Sequence, residues 1–495
     1  MKSNYYFIRL IALFTCAVIL LCSFSSCADL EGIGSDSSEI DADNSPDIPG
    51  SDTDLVESEA EETEPPHSDH VYEDGSCTEC GASEGIAYTV DRKTNTAEVT
   101  NAGGCKQEII VIAEYYKGCP VTHIASRAFV KAEKAKEIFL PDTVKTLAEE
   151  AFAFTTAEII TLSNSITDIP ANTFKQSPNL KRVAVGKALK TVGSMAFYDC
   201  ELLEAINLPD TVTEIGGRAF GDCKSLTEFR IPKGVTSLGN DTFSYCSSLV
   251  EVIFHEDVKN IAHTCFLYCD KLTKLTSFPS EPDYVSNTAF NASGVPRTEY
   301  KNCLYIGNEA NPYIILESCI DKSAENIEIH PNTRIITDMA FHSSSLTEVT
   351  IPDKVATVGH NAFAYSRRLK KVSMSDSVTF LGGNAFHQCI SLTDIRLSDS
   401  ITELQTHTFY GCKALEEIKL PESVLTVGEQ IFDDCESLKT IHIPKGVKEL
   451  KFHIYNAPIS EIRFGGTKDE WMKIQYLLEQ YSGFTVYCSD ASIKY

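Results

Sequence analysis

Residues 203–223 read LEAINLPDTVTEIGGRAFGDC, and the same pattern returns about every 23 residues along most of the chain. A leucine opens each unit, and a phenylalanine stands near its end. The leucines stand at 180, 203, 226, 249 and 272 and again at 346, 369, 392, 415 and 438, and the phenylalanines at 129, 152, 174, 197, 220, 243, 266, 290, 341, 363, 386, 409 and 432. Self-similarity at a fixed period of 20–50 residues is the signature of a solenoid, in which each unit stacks on its neighbours.

The residue types divide each unit into three segments. In Leu-x-x-Ile-x-Leu the apolar residues alternate as in a strand with one buried face, and the proline that often follows ends the strand because it has no N–H to donate. Val-x-x-Ile-Gly predicts a second extended piece that ends in a turn. Ala-Phe-x-x-Cys predicts a single helical turn with the phenylalanine in the core. One unit buries too little apolar surface to be stable alone, so its neighbours must supply the remaining burial.

These repeats resemble the BspA-like class of bacterial leucine-rich repeats over roughly residues 107–465. Residues 86–129 are similar to the lead-in of that family, and residues 464–471, which read FGGTKDEW, are similar to its end cap. The resemblance implies an α/β repeat solenoid, a right-handed leucine-rich-repeat coil with a curved parallel β-sheet and short helical or irregular outer turns. Members of the family are mostly cell-surface or secreted proteins that are implicated in adhesion to host matrix proteins and to other cells.

Composition and periodicity divide the chain into eight segments. We predict a lipoprotein-type signal peptide at 1–26, an acidic disordered tether at 27–66, a small His/Cys module at 67–85, an N-terminal cap at 86–106, a first repeat block at 107–290, an insertion with a hairpin at 291–327, a second repeat block at 328–464 and a C-terminal cap at 465–495. The hairpin is predicted over 301–316, with its turn near 309–312. The insertion is either a structural variant of a repeat or a protrusion that binds a partner.

The N-terminus has the pattern of an export signal. Lys2 and Arg9 precede an apolar run at 10–21 that is short for a membrane span. The run leads into a stretch that resembles a bacterial lipobox, in which Cys27 would be lipidated and would become the mature N-terminus. The alternative is an ordinary secretory signal that is cut near Ser26. We therefore expect an exported protein that is either held at the cell surface by an N-terminal lipid in the membrane or secreted.

The charge of the chain is strongly negative and unevenly distributed. The formal net charge is −27, and residues 28–66 contain fourteen Asp and Glu but no Lys or Arg. A chain this acidic lacks the basic surface that binds phosphate backbones, which argues against nucleic acid as a partner. The acidic segment has almost no aromatic residues and cannot bury enough surface to fold. We interpret it as a spacer between the envelope and the repeats.

Four potential metal ligands precede the repeats: His67, His70, Cys77 and Cys80. A Cys-x-x-Cys turn presents two thiolates to one ion, and two histidines could complete a tetrahedral zinc site. The stretch is also similar to a short H-x-Y-x-x-G-x-C-x-x-C-G module that precedes repeats in many exported proteins of Gram-positive anaerobes. Zinc, a disulfide and free thiols are three open alternatives. In each of them the role is structural, capping the tether against the fold, and no other cofactor is expected.

Seven cysteines recur three residues after a repeat phenylalanine, and the stacking of units would place them in one column. They are Cys200, Cys223, Cys246, Cys269, Cys389, Cys412 and Cys435. A column of thiols could bind metal, but each cysteine has the same apolar neighbours, and free cysteine packs as a small hydrophobic residue. We predict buried thiols. If disulfides form, we expect them between Cys105 and Cys119 and between Cys303 and Cys319.

The candidate binding surface consists of the outward residues of the first strand in each unit. Positions 3 and 5 point away from the core because positions 4 and 6 point into it. Acid recurs at position 3 and base at position 5, which predicts two ribbons of opposite charge. The candidate contact residues are Glu228, Arg230, Asp394, Arg396, Glu417, Lys419, His442 and Arg463.

These features favour a binding protein over an enzyme. The sequence has no His-Glu-x-x-His and no phosphate-binding glycine loop. The leading hypothesis is a non-catalytic, monomeric cell-surface protein that mediates protein–protein contacts or adhesion to a host or another cell through the sheet face of the solenoid, with a protein or glycan as partner. The alternatives are an architectural envelope spacer with no specific ligand and an enzyme with its site in the insertion.

Overall fold

The structure, a computed structural model, describes residues 70–475 and 477–495. The repeats form the turns of a solenoid, and most turns contribute two short strands that pair in parallel with the equivalent strands of the neighbouring turns. Each residue pairs with the residue one repeat further along the chain: Glu228 pairs with Glu251, and Glu251 pairs with Lys274. The predicted leucine-rich-repeat solenoid with a parallel sheet is therefore confirmed.

The first strand of a turn comes from the Leu-x-x-Ile-x-Leu segment, and we call the series of these strands the front ladder. In most of these strands the central residue is more buried than its two neighbours, as Phe229 is between Glu228 and Arg230. This alternation puts position 4 in the core and positions 3 and 5 outside, as predicted. The front ladder consists of Ile109–Val111, Glu137–Phe139, Ile159–Thr161, Arg182–Ala184, Glu228–Arg230, Glu251–Ile253, Lys274–Thr276, Glu348–Ile351, Lys371–Met374, Asp394–Arg396, Glu417–Lys419, Thr440–Ile443 and Glu461–Phe464.

The second strand of a turn comes from the Val-x-x-Ile-Gly segment, and we call this series the side ladder. Each strand is two residues long, and its second residue, such as Ile215 or Leu238, is buried. Both extended pieces predicted for each unit are thus present. The side ladder consists of Thr146–Leu147, Asp168–Ile169, Thr191–Val192, Glu214–Ile215, Ser237–Leu238, Asn260–Ile261, Tyr284–Val285, Ile335–Ile336, Thr357–Val358, Phe380–Leu381, Glu403–Leu404, Thr426–Val427 and Glu449–Leu450.

The segment around Ala-Phe-x-x-Cys, which we call the outer arc, is not the helical turn that the sequence predicts. Two of its residues take the left-handed conformation that interrupts an α-helix, as Met195 (φ 57°) and Asp199 (φ 60°) do. Alternate N–H groups of the arc then bond to the next turn: the N–H of Phe197 donates to the carbonyl of Ala219 at 2.8 Å. The other N–H groups close tight turns within the arc, as that of Cys200 does on the carbonyl of Phe197 at 3.2 Å. The outer arc is therefore a series of irregular turns that also pairs with the next arc.

The repeat phenylalanines stack in a column inside the solenoid. Phe197, Phe220 and Phe243 are fully buried, and their rings are nearly parallel, with centroids 5.1 and 5.5 Å apart. Each ring fills the space between the two ladders and the outer arc of its own turn and contacts the ring of the next turn. The column predicted from the 23-residue period is confirmed.

The predicted cysteine column is buried as well. The thiol of Cys223 donates to the carbonyl of Phe197 in the previous turn at 3.3 Å, and burial raises the pKa of Cys223 well above its usual value. Serine fills the same place in another turn, where the Ser177 hydroxyl donates to the carbonyl of Phe152. A position that accepts either residue provides a hydrogen-bond donor to the neighbouring turn, which is a structural role. None of the fifteen cysteines of the described residues forms a disulfide, so the bridges considered between Cys105 and Cys119 and between Cys303 and Cys319 are not present.

An N-terminal cap closes the first turn. A hairpin pairs with a third strand, which in turn pairs with the first strand of the side ladder, and a smaller hairpin precedes the cap. The strands are Tyr72–Glu73 and Ser76–Cys77 of the small hairpin, and Ala87–Asp91, Thr96–Asn101, Tyr115–Tyr116 and Cys119–Ile124 of the cap.

The insertion between the blocks is an antiparallel unit of three strands, Thr298–Tyr300, Cys303–Ile306 and Ile315–Cys319. The hairpin predicted over 301–316 is present, whereas the strand at 298–300 was not predicted. The last strand also pairs in parallel with Ile335–Ile336, so the insertion continues into the side ladder of the second block.

The hairpin formed by Cys303–Ile306 and Ile315–Cys319, which we call the dividing hairpin, is buried on both faces. Ile306 and Ile315 pack in the core of the first block, while Tyr305 and Leu316 pack in the core of the second. The hairpin is thus a wall between two cores, and this placement favours the structural interpretation of the insertion.

The C-terminal cap extends the front ladder. Thr485–Tyr487 pairs in parallel with Glu461–Phe464, and Ser492–Lys494 adds an antiparallel edge strand. A short helix, Lys468–Trp471, lies between Glu461–Phe464 and Thr485–Tyr487 along the chain, and its Trp471 is buried. In the part of the chain that the structure describes, no helix is both long and apolar enough to cross a membrane.

Candidate functional site

The structure brings three of the four predicted metal ligands together. His70 Nδ1 lies 3.4 Å from Cys77 Sγ and 3.5 Å from Cys80 Sγ, and the three ligand atoms all lie within 4.8 Å of one another. Within residues 70–475 and 477–495, no other three His, Cys, Asp or Glu side chains are grouped this closely. His67, the fourth predicted ligand, lies outside the described residues.

A tight turn places the two sulfurs side by side. Cys77 ends the second strand of the small hairpin, and its carbonyl accepts the N–H of Gly81 at 2.9 Å. Gly81 has a φ of 75°, which glycine adopts without steric cost. The N–H groups of Glu79 and Cys80 hydrogen-bond to the sulfur of Cys77. The sequence Cys-x-x-Cys-Gly therefore folds into a loop that directs backbone donors at its first sulfur.

The hydrogen bonds of this loop set the charge of the two thiols. Partial burial alone would raise the pKa of Cys77, but hydrogen bonds, chiefly those from the backbone N–H groups of the loop, outweigh burial and lower this pKa to about 6. Burial raises the pKa of Cys80 to about 11, and the adjacent Cys77 adds to the rise. At neutral pH the pair therefore holds one thiolate, the form of cysteine that binds metals.

The imidazole of His70 is oriented by the cap. Its Nε2 lies 3.1 Å from the carbonyl oxygen of Tyr115. A carbonyl can only accept, so Nε2 carries the proton and the lone pair of the neutral ring is on Nδ1, which faces both sulfurs. The contact joins residues 45 positions apart, and no sequence pattern indicates it.

All eight predicted contact residues lie on the front ladder. Seven of them are exposed, and His442 is half-buried. Their neighbours at position 4, such as Phe229, Ile418 and Ile462, are buried. The alternation of the strands therefore directs these polar side chains to solvent, as the sequence predicts.

Several of these charged side chains form ion pairs with other residues of the protein. Arg230 donates two hydrogen bonds to Asp210 at 2.8 and 3.1 Å, and Arg396 donates two to Asp376, both at 2.9 Å. The two aspartates lie in the turn before their arginines and are not among the residues predicted from the sequence. On the last strands His442 lies 2.6 Å from Glu417, and Arg463 lies 2.9 Å from Glu461. The front ladder thus presents acid–base pairs where the sequence predicted two ribbons of separate charge. The 20-residue spacing from aspartate to arginine is the signal that could have revealed the pairs.

The repeats match a family model. The model, BspA type Leucine rich repeat region, matches in six copies at residues 105–225, 167–296 and 334–460. The chain belongs to this family. No curated protein matches it in sequence.

Several solved structures of bacterial proteins resemble this BspA-type chain. A leucine-rich repeat protein from Bacteroides ovatus is 24% identical, with a TM-score of 0.42, over 82% of this chain and 98% of its own. A leucine rich cell surface protein from Faecalibacterium prausnitzii is 25% identical, with a TM-score of 0.31, over 79% of this chain and 96% of its own. The pneumococcal vaccine antigen PcpA is 18% identical, with a TM-score of 0.30, over 83% of this chain and 98% of its own.

Proteins of the BspA-type family and fold are typically not enzymes. One Gly-x-Ser-x-Gly sequence, the pattern around the nucleophile of α/β hydrolases, does occur at 81–85. Its serine, Ser83, is buried. The Ser83 hydroxyl donates to the carbonyl of Ile109 and accepts the N–H of Val111. These bonds join the small hairpin region to the first front strand, so Ser83 has a structural role.

A row of rings on the outer arcs of the second block is a further surface feature of this BspA-type solenoid. His342, Tyr365, His387 and Tyr410 come from successive turns, with neighbouring centroids 5.3, 5.1 and 4.9 Å apart. The row was not among the features predicted from the sequence. Its signal is a histidine or tyrosine one or two residues after a repeat phenylalanine. His387 and Tyr410 are stacked at 21°, whereas the other two contacts are tilted or edge-to-face at 54° and 66°. The rings therefore contact one another between successive turns, and the row first of all supports the stacking of the arcs.

Proposed function

We propose that this chain is an exported, non-catalytic surface protein that binds a protein or glycan partner through the last strands of its front ladder. The observation that supports this most is a row of neighbouring side chains on adjacent strands. Lys419 pairs in register with His442, His442 with Arg463, and Arg463 with Tyr487 of the C-terminal cap. Lys419, Arg463 and Tyr487 are exposed.

The geometry of this row suits docking. Adjacent strands are about 4.8 Å apart, so the row offers hydrogen-bond donors and an aromatic ring at regular spacing on a rigid backbone. A rigid surface loses little conformational entropy when a partner binds. Arginine and tyrosine are also enriched at protein interfaces. The row therefore combines the residue types and the rigidity that a contact surface needs.

The ion pairs on the ladder do not prevent binding. Pairs between exposed side chains contribute only about 0–1 kcal/mol each, so a partner's carboxylates can replace Glu461 beside Arg463 or Asp376 beside Arg396 at little cost. The charges then act mainly on the rate of association and on its dependence on salt.

Reversing three charges on this face is expected to abolish binding without unfolding the protein. The variant carries Arg396→Glu, Lys419→Glu and Arg463→Glu, and each change affects an exposed side chain, so the melting temperature should stay close to that of the parent. Binding is measured at low and high salt against a panel of purified extracellular-matrix proteins and a glycan array.

The matched control reverses three exposed lysines of the outer arcs, Lys224→Glu, Lys271→Glu and Lys413→Glu, with the same change in net charge. This control should bind like the parent. If the front-ladder variant binds every panel member as the parent does, or if the parent binds none, the proposal is wrong and the architectural-spacer hypothesis takes its place.

Anchoring by a lipid at Cys27 is part of the proposal. Cys27 lies outside the described residues, and its sequence context supports the assignment. Cys27→Ala is expected to abolish both the incorporation of labelled fatty acid and the retention of the protein in the membrane fraction, because the thiol is the site of attachment. Cys22→Ala, a change at the neighbouring cysteine, should leave both unchanged. Release of unlabelled parent protein into the medium would instead support simple secretion.

A further inference from the structure

We propose that His70, Cys77 and Cys80 bind one zinc ion, which fastens the small hairpin to the N-terminal cap. The distances from the ring nitrogen to the two sulfurs suit a zinc ion. In a tetrahedral site with Zn–S near 2.3 Å and Zn–N near 2.0–2.1 Å, nitrogen and sulfur ligands lie about 3.5–3.6 Å apart. His70 Nδ1 lies 3.4 and 3.5 Å from the two sulfurs. The nitrogen therefore already has the spacing to both sulfurs that a bound zinc ion imposes, and all three atoms lie within 4.8 Å of one another.

The hydrogen bonds that the ligand residues make with the surrounding backbone also suit a zinc ion. Histidines that bind metals almost always donate their other ring N–H to a carbonyl or carboxylate, which fixes the tautomer, and His70 does so through Nε2 to Tyr115. The sulfur of Cys77 accepts the N–H groups of Glu79 and Cys80, and the sulfur of Cys80 accepts the N–H of Ala82. Such donors stabilise sulfur that carries negative charge.

The same geometry favours zinc over the two alternatives. A disulfide holds its sulfurs about 2.05 Å apart and makes no use of a histidine lone pair that faces both of them. Two free thiols could give the imidazole an S–H···N hydrogen bond, but one such bond does not require the ring to lie at nearly equal distances from both sulfurs. Zinc also suits a donor set of two sulfurs and one imidazole nitrogen. These residues fill three of its four positions.

A zinc ion would stabilise the small hairpin, which has little apolar core of its own. Its apolar core within the described residues is only Cys77, Ala82 and Ala113, with Tyr72 and Tyr88 packed against it. A unit of this size cannot be stable on buried surface alone and usually needs a metal or a disulfide. An ion at His70 and the two cysteines would close the loop over residues 70–80. Through the Tyr115 carbonyl, it would also hold that loop to the cap.

Metal analysis of the purified, reduced protein tests the site. After incubation with Zn²⁺ and dialysis, we expect one zinc per chain, and Co²⁺ in its place should give the intense near-ultraviolet absorption of cobalt–thiolate bonds. His70→Gln and Cys80→Ser are each expected to reduce the bound metal at least tenfold. Cys488→Ser removes a partly buried cysteine of the C-terminal cap and should leave one zinc per chain.

Hydrogen exchange separates loss of the ion from loss of the fold. Removing zinc with a chelator should speed exchange at 71–83 about tenfold or more and leave the repeat at 203–223 unchanged. A variant whose repeats also lose protection is misfolded, and the chelator experiment on the parent then decides. Absence of bound zinc in the reduced parent, or a Cys77–Cys80 disulfide in protein purified without reductant, would overturn the proposal.

Discussion

Replacing Phe220 by alanine is expected to lower the free energy of unfolding by about 3–5 kcal/mol. Phe220 is fully buried, and its ring lies between those of Phe197 and Phe243, with Phe229 beside it at 4.9 Å. The neighbouring rings are held by their own turns and cannot move in to fill the space. A cavity therefore remains, and its walls lose their contacts. Urea denaturation followed by circular dichroism measures the change.

A second aromatic residue of the same block provides the control. Tyr245 is 43% exposed, and its ring stacks on that of Tyr268 at 5.0 Å. Tyr245→Ala removes a similar number of atoms but leaves no cavity, so it should cost about 1 kcal/mol or less. Equal effects of the two substitutions would show that the phenylalanine column does not carry the stability of the block.

The second large effect is expected at Arg297, beside the dividing hairpin. Its guanidinium donates twice to Glu317, at 2.9 and 3.0 Å, and also to the carbonyls of Phe290, Ser293 and Val295. The side chains of Arg297 and Glu317 are only 21% and 14% exposed. Arg297→Met removes the donor from a largely buried carboxylate and from the carbonyls of Ser293 and Val295, while the carbonyl of Phe290 keeps the N–H and hydroxyl of Ser293 as donors. We expect a loss of about 3 kcal/mol, measured by the same denaturation experiment.

Two comparisons show whether burial is the cause. Arg230→Met also breaks a two-bond pair with an aspartate, but both partners are about half exposed, so the loss should stay below about 1 kcal/mol. Arg297→Met combined with Glu317→Leu removes the stranded carboxylate and should be more stable than Arg297→Met alone. If Arg297→Met costs no more than Arg230→Met, the buried pair does not hold the junction.

The 23-residue period of the sequence predicts the structural features that every turn repeats. It does not predict the structure of segments that occur only once in the chain. The column through Phe220 and the alternation in Glu228–Arg230 follow from apolar spacing, which every unit restates. Thr298–Tyr300 and Thr485–Tyr487 are too short to show alternation, and their pairing depends on strands that tertiary structure brings to them. Of the helical and irregular forms expected for the outer turns, the outer arc takes the irregular one, because alternate N–H groups bond to the next turn and residues such as Asp199 take the left-handed conformation. Asp and Asn occupy only some of these positions and residues such as Met195 occupy others, so the sequence gives a weak signal for them.

The sequence predicts which residues belong to the candidate sites, but it does not predict the distances and orientations between their side chains. Cys77 and Cys80 form a recognisable turn motif, and His70 stands near them in sequence. The acceptor that orients the His70 ring is a backbone carbonyl in the cap, which has no side-chain signature. On the front ladder, outward direction follows from alternation, while the pairing of Arg396 with Asp376 depends on how one turn stacks on the next.

The dividing hairpin also affects how the chain aligns its units while it folds. A slip by one whole unit places leucine against leucine and phenylalanine against phenylalanine, so the apolar pattern alone does not oppose it. The strands Cys303–Ile306 and Ile315–Cys319 pair antiparallel and resemble no other unit. A misaligned stretch in one block therefore ends at the hairpin and cannot propagate into the other. For the same reason, duplication or loss of a unit in evolution changes the length of one block without shifting the alignment of the other.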